Sequence, residues 1–277
     1  MILVTGATGN IGSALLGELH ARGVGPLRGL TRNAARAVFP EGVEAVEGDL
    51  AEPASLKSAL DGVRSLFLVS RLGSDADILG HARQAGVKHV VLVSSITVQT
   101  HPRLGPAGEN LAVEQLLRAS GMAWTILRPT QFASNALMWA ASIRGHETVR
   151  APHADIALPT IHPADIASVA RVALTEAGHQ GHTYALTGPE PVTARQQVEA
   201  IAAALGREVP FAEISRREAR TRMAAVFGVE AADAVLDVSG GDVNDELRMV
   251  RDTVSQVIGA PARPFQQWAS ENANAFR

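Results

Sequence analysis

The run Thr5-Gly6-Ala7-Thr8-Gly9-Asn10-Ile11-Gly12 is the stretch whose residue types and spacing speak most plainly of chemistry. Glycines at these intervals permit a tight turn, a close backbone approach to a pyrophosphate, and close packing of a helix on a strand. Apolar residues before the loop read as a strand and those behind it as a helix. In that context free amides and the positive end of the helix dipole meet phosphate. Gly6, Thr8, Gly9, Asn10, Ile11 and Gly12 are therefore the expected coenzyme contacts. About 20 positions beyond the glycines, where an NAD site carries an acid for the ribose hydroxyls, stands Leu30-Thr31-Arg32-Asn33. The planar guanidinium of Arg32 suits a 2′-phosphate, so NADPH is the expected coenzyme. Arg28 is near in sequence, but strand alternation leaves its direction open. Gly48-Asp49-Leu50 ends the third strand; Asp49 either meets the adenine amino group or caps a helix beginning near Pro53.

The elements that must position these residues follow from hydrophobic pattern. Near-continuous apolar runs at residues 2–5, 26–31, 43–47, 65–69, 89–94 and 124–127 read as parallel strands covered on both faces. Between them, Ile11, Leu15, Leu16 and Leu19 share one helical face, as do Leu111, Val113, Leu116 and Leu117. The repeated alternation predicts an α/β fold with a doubly wound parallel (Rossmann) sheet. Residues 1–130 form the dinucleotide-binding core in this reading, and 131–277 a mixed region that adds to the sheet and forms the substrate cleft. Short strands are expected at 147–150, 156–158 and 183–186, and helices at 163–175, 193–205, 215–227 and 245–258. Pro163 suits a first helical position, and Thr193 with Gln196 reads as a capping box.

Composition narrows the function classes. The 277 residues are 46% hydrophobic and 19% charged, ordinary for a globular protein. A formal charge of -3 gives no general attraction to nucleic acid or anionic membrane. One Tyr, three Trp and seven Phe make no stacking platform for single strands. No apolar run approaches the roughly 20 residues that span a bilayer. Zero cysteines exclude disulfides, thiolate metal ligands and cysteine nucleophiles, and fit a cytoplasmic location. No metal site and no signal peptide are expected, since Met1 to Thr5 already reads as a buried strand.

The ordered set of motifs resembles the NmrA-like, atypical branch of the short-chain dehydrogenase/reductase superfamily over nearly the whole chain. Thr5 to Gly12 is similar to its TGATGxxG loop, and Thr31-Arg32-Asn33 to its basic position after strand two. Gly48-Asp49-Leu50, Val93-Ser94-Ser95-Ile96, Ile126-Leu127-Arg128-Pro129, Ile161-His162-Pro163-Ala164-Asp165, Thr187-Gly188-Pro189-Glu190 and Arg263-Pro264-Phe265 match in order. The resemblance implies bound NADP(H), with Leu50, Ser94 and Pro129 beside it. It also implies a substrate cleft to which Gln131, Phe132 and Asn135, placed on a helix after Pro129, contribute. Quinone, dye and ketone reductases belong to this branch, and so do NADP-sensing regulators without catalysis.

One departure stands out. The superfamily's Tyr-x-x-x-Lys pair falls on Pro106 and Asn110, and the single tyrosine is Tyr184 in a C-terminal strand. Ser95 occupies the place of the superfamily's serine; it and Thr97 are the expected groups to orient a carbonyl oxygen. Ser94 and Ser95 read equally well as hydroxyls that simply bond loop backbone. His101 and His162 have suitable intrinsic pKa values for proton donation, or are structural. Phe132, Met138, Trp139, Met223 and Phe227 form either an apolar wall or core, and residues 215–238 a lid. The expected activity is hydride transfer from NADPH to a small hydrophobic aromatic ketone or quinone, with a non-catalytic NADP(H) sensor of a protein partner as the alternative.

Overall fold

Apolar runs, glycine turns and amphipathic stretches alternate through the first half of the chain, and secondary structure follows them. In order come β1 (Ile2–Val4), α1 (Asn10–Ala21), β2 (Leu27–Thr31), β3 (Val43–Glu47), β4 (Ser65–Val69), α2 (Asp75–Gln84), β5 (His89–Val93), α3 (Thr97–Thr100), α4 (Gly105–Ala119) and β6 (Ala123–Pro129). The second half holds β7 (Gln131–Phe132), α5 (Ala140–Arg144), β8 (Val149–Ala151), β9 (Leu158–Ile161), α6 (Pro163–Thr175), β10 (His182–Leu186), β11 (Pro191–Val192) and α7 (Ala194–Leu205). It closes with β12 (Phe211–Glu213), α8 (Arg216–Phe227), α9 (Val229–Leu236), α10 (Asp245–Arg248), α11 (Thr253–Ile258) and α12 (Phe265–Glu271). This computed structural model describes residues 1–277 apart from the side chain of Phe227, so that expected wall residue lies outside the described residues.

Seven strands form one sheet in the order β10-β6-β5-β4-β1-β2-β3, and every neighbouring pair is parallel. The doubly wound α/β architecture predicted from the alternation is the fold. Strand order reverses between β1 and β4, which opens a crevice beyond their carboxyl ends. On one face α1 and α6 bury Leu15, Leu16, Leu19, Ile166 and Ala170. On the other, α2 and α4 bury Ile78, Leu79, Val113 and Leu117. Each such leucine contributes about 1.5–3 kcal/mol of transfer free energy, which anchors the strand ends that carry the site. A third cluster joins Val198 and Ile201 of α7 to Phe265, Trp268 and Phe276. The Thr193–Gln196 capping box is present in both directions, and α6 starts at Pro163. Among the described residues no helix is long and apolar enough to cross a membrane.

Several local expectations are corrected. β3 is not covered on both faces: it is the sheet's edge strand, with Glu44, Ala45 and Glu47 exposed. Gln131, Phe132 and Asn135 do not share a helix. Thr130 N–H donates to Leu186 O, so the chain stays extended as β7, which pairs with β9, before a 3-10 turn over Ala133–Trp139. The strand expected at 156–158 lies at Leu158–Ile161. The helix expected over 245–258 is two short ones, because Arg251 N–H turns to Thr187 Oγ1. The stretch 215–238 is interrupted at Gly228, whose φ of 81° separates α8 from α9.

Candidate active site and coenzyme cradle

The glycine loop takes the shape its sequence requires. Gly6 sits at φ 58°, in the left-handed region, and accepts the Gly9 N–H at 2.9 Å. A Cβ on Gly12 would stand 2.2 Å from Gly6 O, so only glycine lets α1 approach the turn this closely. Thr8, Gly9 and Asn10 are exposed at the start of α1, while the Ile11 side chain is buried beneath it. Gly9 is the N-cap, and no side chain caps the helix. The amides there remain available to an anion.

Arg32 projects into solvent just past β2 and has no carboxylate partner among the described residues. Arg28 points the other way: only 8% exposed, it bonds Glu44 Oε2 at 2.9 Å, Ala59 O at 2.7 Å and Asp61 O at 2.9 Å. The Asp49 carboxylate accepts from Ala51 N–H at 2.9 Å and shapes the turn after β3. Pro53–Leu56 is a 3-10 turn whose N-cap is Glu52, so Asp49 does not cap it. Leu50 is core by its side chain, and its carbonyl presses on Gly73, where a Cβ would lie 1.7 Å away.

Beyond the carboxyl ends of β4, β5 and β6 lies a cavity of about 480 Å³. It is lined by Ser94, Ser95, Thr97 and Pro129, by Pro106 and Asn110 of α4, by Gln131, Phe132 and Asn135, and by Ala231, Ala234 and Val235 of α9. Ser95 Oγ and Thr97 Oγ1 are 2.8 Å apart, and Thr97 N–H donates to Ser95 Oγ at 3.2 Å. The Ser94 hydroxyl is spoken for, donating to Glu114 Oε1 at 2.7 Å. Asn110 is too: its Nδ2 donates to Pro106 O at 3.0 Å, and its Oδ1 lies 3.1 Å from the Ser70 hydroxyl. The one charged side chain on the wall among the described residues is Arg71, paired with Glu109 at 2.7 Å.

Both candidate histidines are structural. His101 Nδ1 lies 2.8 Å from Thr100 Oγ1 and Nε2 2.7 Å from Asp242 O. His162 caps α6, accepting from Ala164 N–H, and its Nε2 meets Glu271 at 3.1 Å. Burial holds the His162 pKa below its ordinary value, against the pull of Glu271 and Asp165. Neither histidine lines the cavity, and neither does Tyr184, whose hydroxyl lies 2.8 Å from His179 Nδ1.

Sequence reasoning missed two features. One is fully buried Glu114, bound by Ser94, by Arg128 through two nitrogens and by Arg118 at 3.0 Å. Its i,i+4 spacing from Arg118 was the available signal. The other is a second cavity of about 720 Å³, which shares Gln131, Asn135, Val235 and Ser239 with the first. Met138, Trp139 and Met223 line it, and Phe132 lines the first cavity; Phe132 and Trp139 also pack on core clusters.

The sequence pattern of the NAD(P)H-binding family matches residues 6–177. The chain belongs to the NAD(P)H-binding family. A (4-alkanoyl-5-oxo-2,5-dihydrofuran-3-yl)methyl phosphate reductase of Streptomyces griseus is 39% identical over 100% of this chain and 99% of its own length. An NAD(P)H azoreductase of Xenophilus azovorans is 37% identical over 100% of this chain and 99% of its own. The solved structure of an NADPH-dependent quinone oxidoreductase of Escherichia coli complexed with NADPH superposes with a TM-score of 0.80. It is 28% identical and covers 98% of this chain and 99% of that one. Membership fits the cradle: this NAD(P)H-binding protein has an uncapped helix start at its glycine turn and an uncompensated arginine after β2.

Proposed function

We propose that the chain is an NADPH-dependent reductase that delivers hydride to a hydrophobic, conjugated acceptor, a quinone or aromatic ketone, without a protein acid. The observation that carries this is the chemistry of the first cavity's wall. Among the described residues it presents hydroxyls, amides, apolar groups and the guanidinium of Arg71, with no Tyr, His, Asp, Glu or Lys. When bound, the coenzyme would supply one hydride, which carries two electrons. The chain's own residues bind and orient the acceptor. Ser95 and Thr97 share one hydrogen between them and can offer the other to an acceptor oxygen. Phe132 and the alanines of α9 give a flat apolar slot.

A neutral hydroxyl without a base donates protons poorly, so the second hydrogen of the product comes from water. Such a reaction is fast only where the anion formed by hydride addition is delocalised. The relatives' names agree with this. A quinone, an azo compound, and a furanone ring bearing two carbonyl groups next to a carbon–carbon double bond all spread that charge. Arg32 and the lack of an acid at its position support NADPH over NADH. The lack of cysteine suits work in the reducing cytoplasm.

The test is NADPH oxidation against a panel of quinones and aromatic ketones. Tyr184→Phe retains full turnover, and Ser95→Ala loses less than the roughly 10²–10⁴-fold that a general acid provides. With no wall group titrating, kcat/KM stays flat between about pH 6 and 9. Collapse of turnover in folded, coenzyme-binding Tyr184→Phe, or a panel with no active acceptor, overturns the reading.

A further inference from the structure

The second cavity is chemically unlike the first. Its walls combine apolar Met138, Trp139 and Met223 with the charged side chains of Arg150, Arg222 and Glu147. Arg222 is already matched by Glu218 at 2.8 Å. Arg150 is different. It stands on β8 between buried Val149 and Ala151, so the strand's alternation turns it away from the core, and it is exposed where it lines the cavity. Among the described residues it has no hydrogen-bond or ion-pair partner, although Glu147 also lines the cavity. His153 adds no charge, because burial and then the Arg216 charge hold its pKa below the ordinary value. An unmatched guanidinium on a cavity wall beside apolar side chains is a receptor for an oxyanion, which it can bind through two parallel N–H bonds.

We propose that this cavity is a specificity subsite for acceptors carrying an oxyanion, a phosphate monoester or a carboxylate, with Arg150 as its counter-ion. This inference rests on the reductase reading of the first cavity. Gln131, Asn135, Val235 and Ser239 line both cavities, which places the two side by side. A substrate with its reducible ring against Ser95 extends past Asn135, lays an apolar linker on Trp139 and Met223, and ends its charge at Arg150. Glu147 opposes that charge and sets how strongly anionic acceptors are preferred. The residues come from β8, α8, the segment before α5 and the loop between α5 and β8, and none belongs to the coenzyme loop, so the subsite tunes substrate choice without touching coenzyme binding.

Three naphthoquinones on the same linker provide the test, ending in a phosphate, a carboxylate or a neutral amide. The unmodified protein is expected to prefer at least one anionic quinone over the amide in kcat/KM. In Arg150→Ala the anionic-to-amide ratio falls roughly 10-fold or more through KM, and Glu147→Gln raises it. Whichever anion loses more in Arg150→Ala identifies the head group. A second readout needs no turnover. Of the three tryptophans Trp139 alone lines this cavity, although it also packs on the cluster that holds Trp268; Trp124 packs on another cluster. Quenching of tryptophan emission by the anionic quinones therefore reports occupancy, is lost in Trp139→Phe, and weakens in Arg150→Ala or at raised ionic strength. If none of the three quinones oxidises NADPH, the reductase reading fails. If the amide quinone is reduced but the ratio does not move in Arg150→Ala, the subsite alone is overturned.

Discussion

Glu114→Gln is the sharpest perturbation the structure offers, because it changes a charge and almost no volume at a wholly buried position. The carboxylate accepts from Ser94 at 2.7 Å, from Arg128 at 2.9 and 2.7 Å, and from Arg118 at 3.0 Å. An amide keeps one acceptor oxygen and turns an NH2 group toward guanidinium donors. Breaking one side of a buried pair typically costs about 3–5 kcal/mol, since the charge left behind stays desolvated. The side chains of Arg128 and Arg118 are 15% and 33% exposed, so water reaches both and the loss should sit near the lower limit, about 3 kcal/mol. The sign with pH follows from the carboxyl. Burial is the largest single influence and pushes its pKa up. The hydrogen bonds from Arg128 and Ser94, with the charges of Arg128 and Arg118, together outweigh it and hold the pKa below 4.5. Glu114 therefore stabilises the fold fully above 4.5, and that stabilisation is lost as pH falls through the lower folded-state value. Urea unfolding of both proteins at neutral pH and in acid measures the gap, which should hold near neutrality and narrow in acid. A loss under about 1 kcal/mol at neutral pH with unchanged m, or a gap that widens in acid, would refute this account.

Two further outcomes concern the coenzyme. Arg32→Ala should weaken NADPH binding roughly 10-fold and leave NADH nearly unaffected, because the side chain is solvated and unpaired until a 2′-phosphate meets it. Equal affinity of the unmodified protein for both coenzymes, by titration, would sink this. Gly9→Val should abolish coenzyme binding at little cost to folding: its φ of -88° suits any residue, and a Cβ would meet only Gly6 O at 3.2 Å. Calorimetric titration beside a melting curve checks both halves, and undiminished NADPH binding would place the coenzyme elsewhere.

What could be read from sequence was what local rules decide. Central parallel strands are apolar on both faces, so β1, β4 and β5 stood out, and the capping box fixed the start of α7. The edge strand β3 was found by its place in the alternation, and its exposed face was not foreseen. Long-range partners were invisible. His101 is tied to a carbonyl 141 residues away and His162 to a carboxylate 109 residues away, so neither histidine's structural duty leaves a mark nearby. The second cavity is assembled from segments between Gln131 and Ser239, with no motif in any of them. Arg150 in sequence is one arginine among 25 cationic side chains; only the fold shows it to be unmatched.

The positions of the missing acid pair explain how the site holds together without them. Pro106 cannot donate from its backbone, yet its carbonyl takes the Asn110 amide at 3.0 Å. Asn110 in turn meets Ser70, whose hydroxyl lies 2.9 Å from Val93 O at the end of β5. A neutral chain of hydrogen bonds thus runs through the two positions onto which the resemblance places the tyrosine and lysine, and ties α4 to the end of β5. A lysine at Asn110 would bring a buried charge with no carboxylate beside it on the cavity wall, since Glu109 is already paired with Arg71. Apart from Arg71, the described wall residues are accordingly uncharged. Under the proposed reaction the wall positions an acceptor, and the proton arrives from solvent after the hydride. That order of events is available to acceptors that hold the added electron pair stably. On the proposed reading, a wall without an acid selects acceptors by their electronic structure, and the second cavity is the place where one acceptor is told from another.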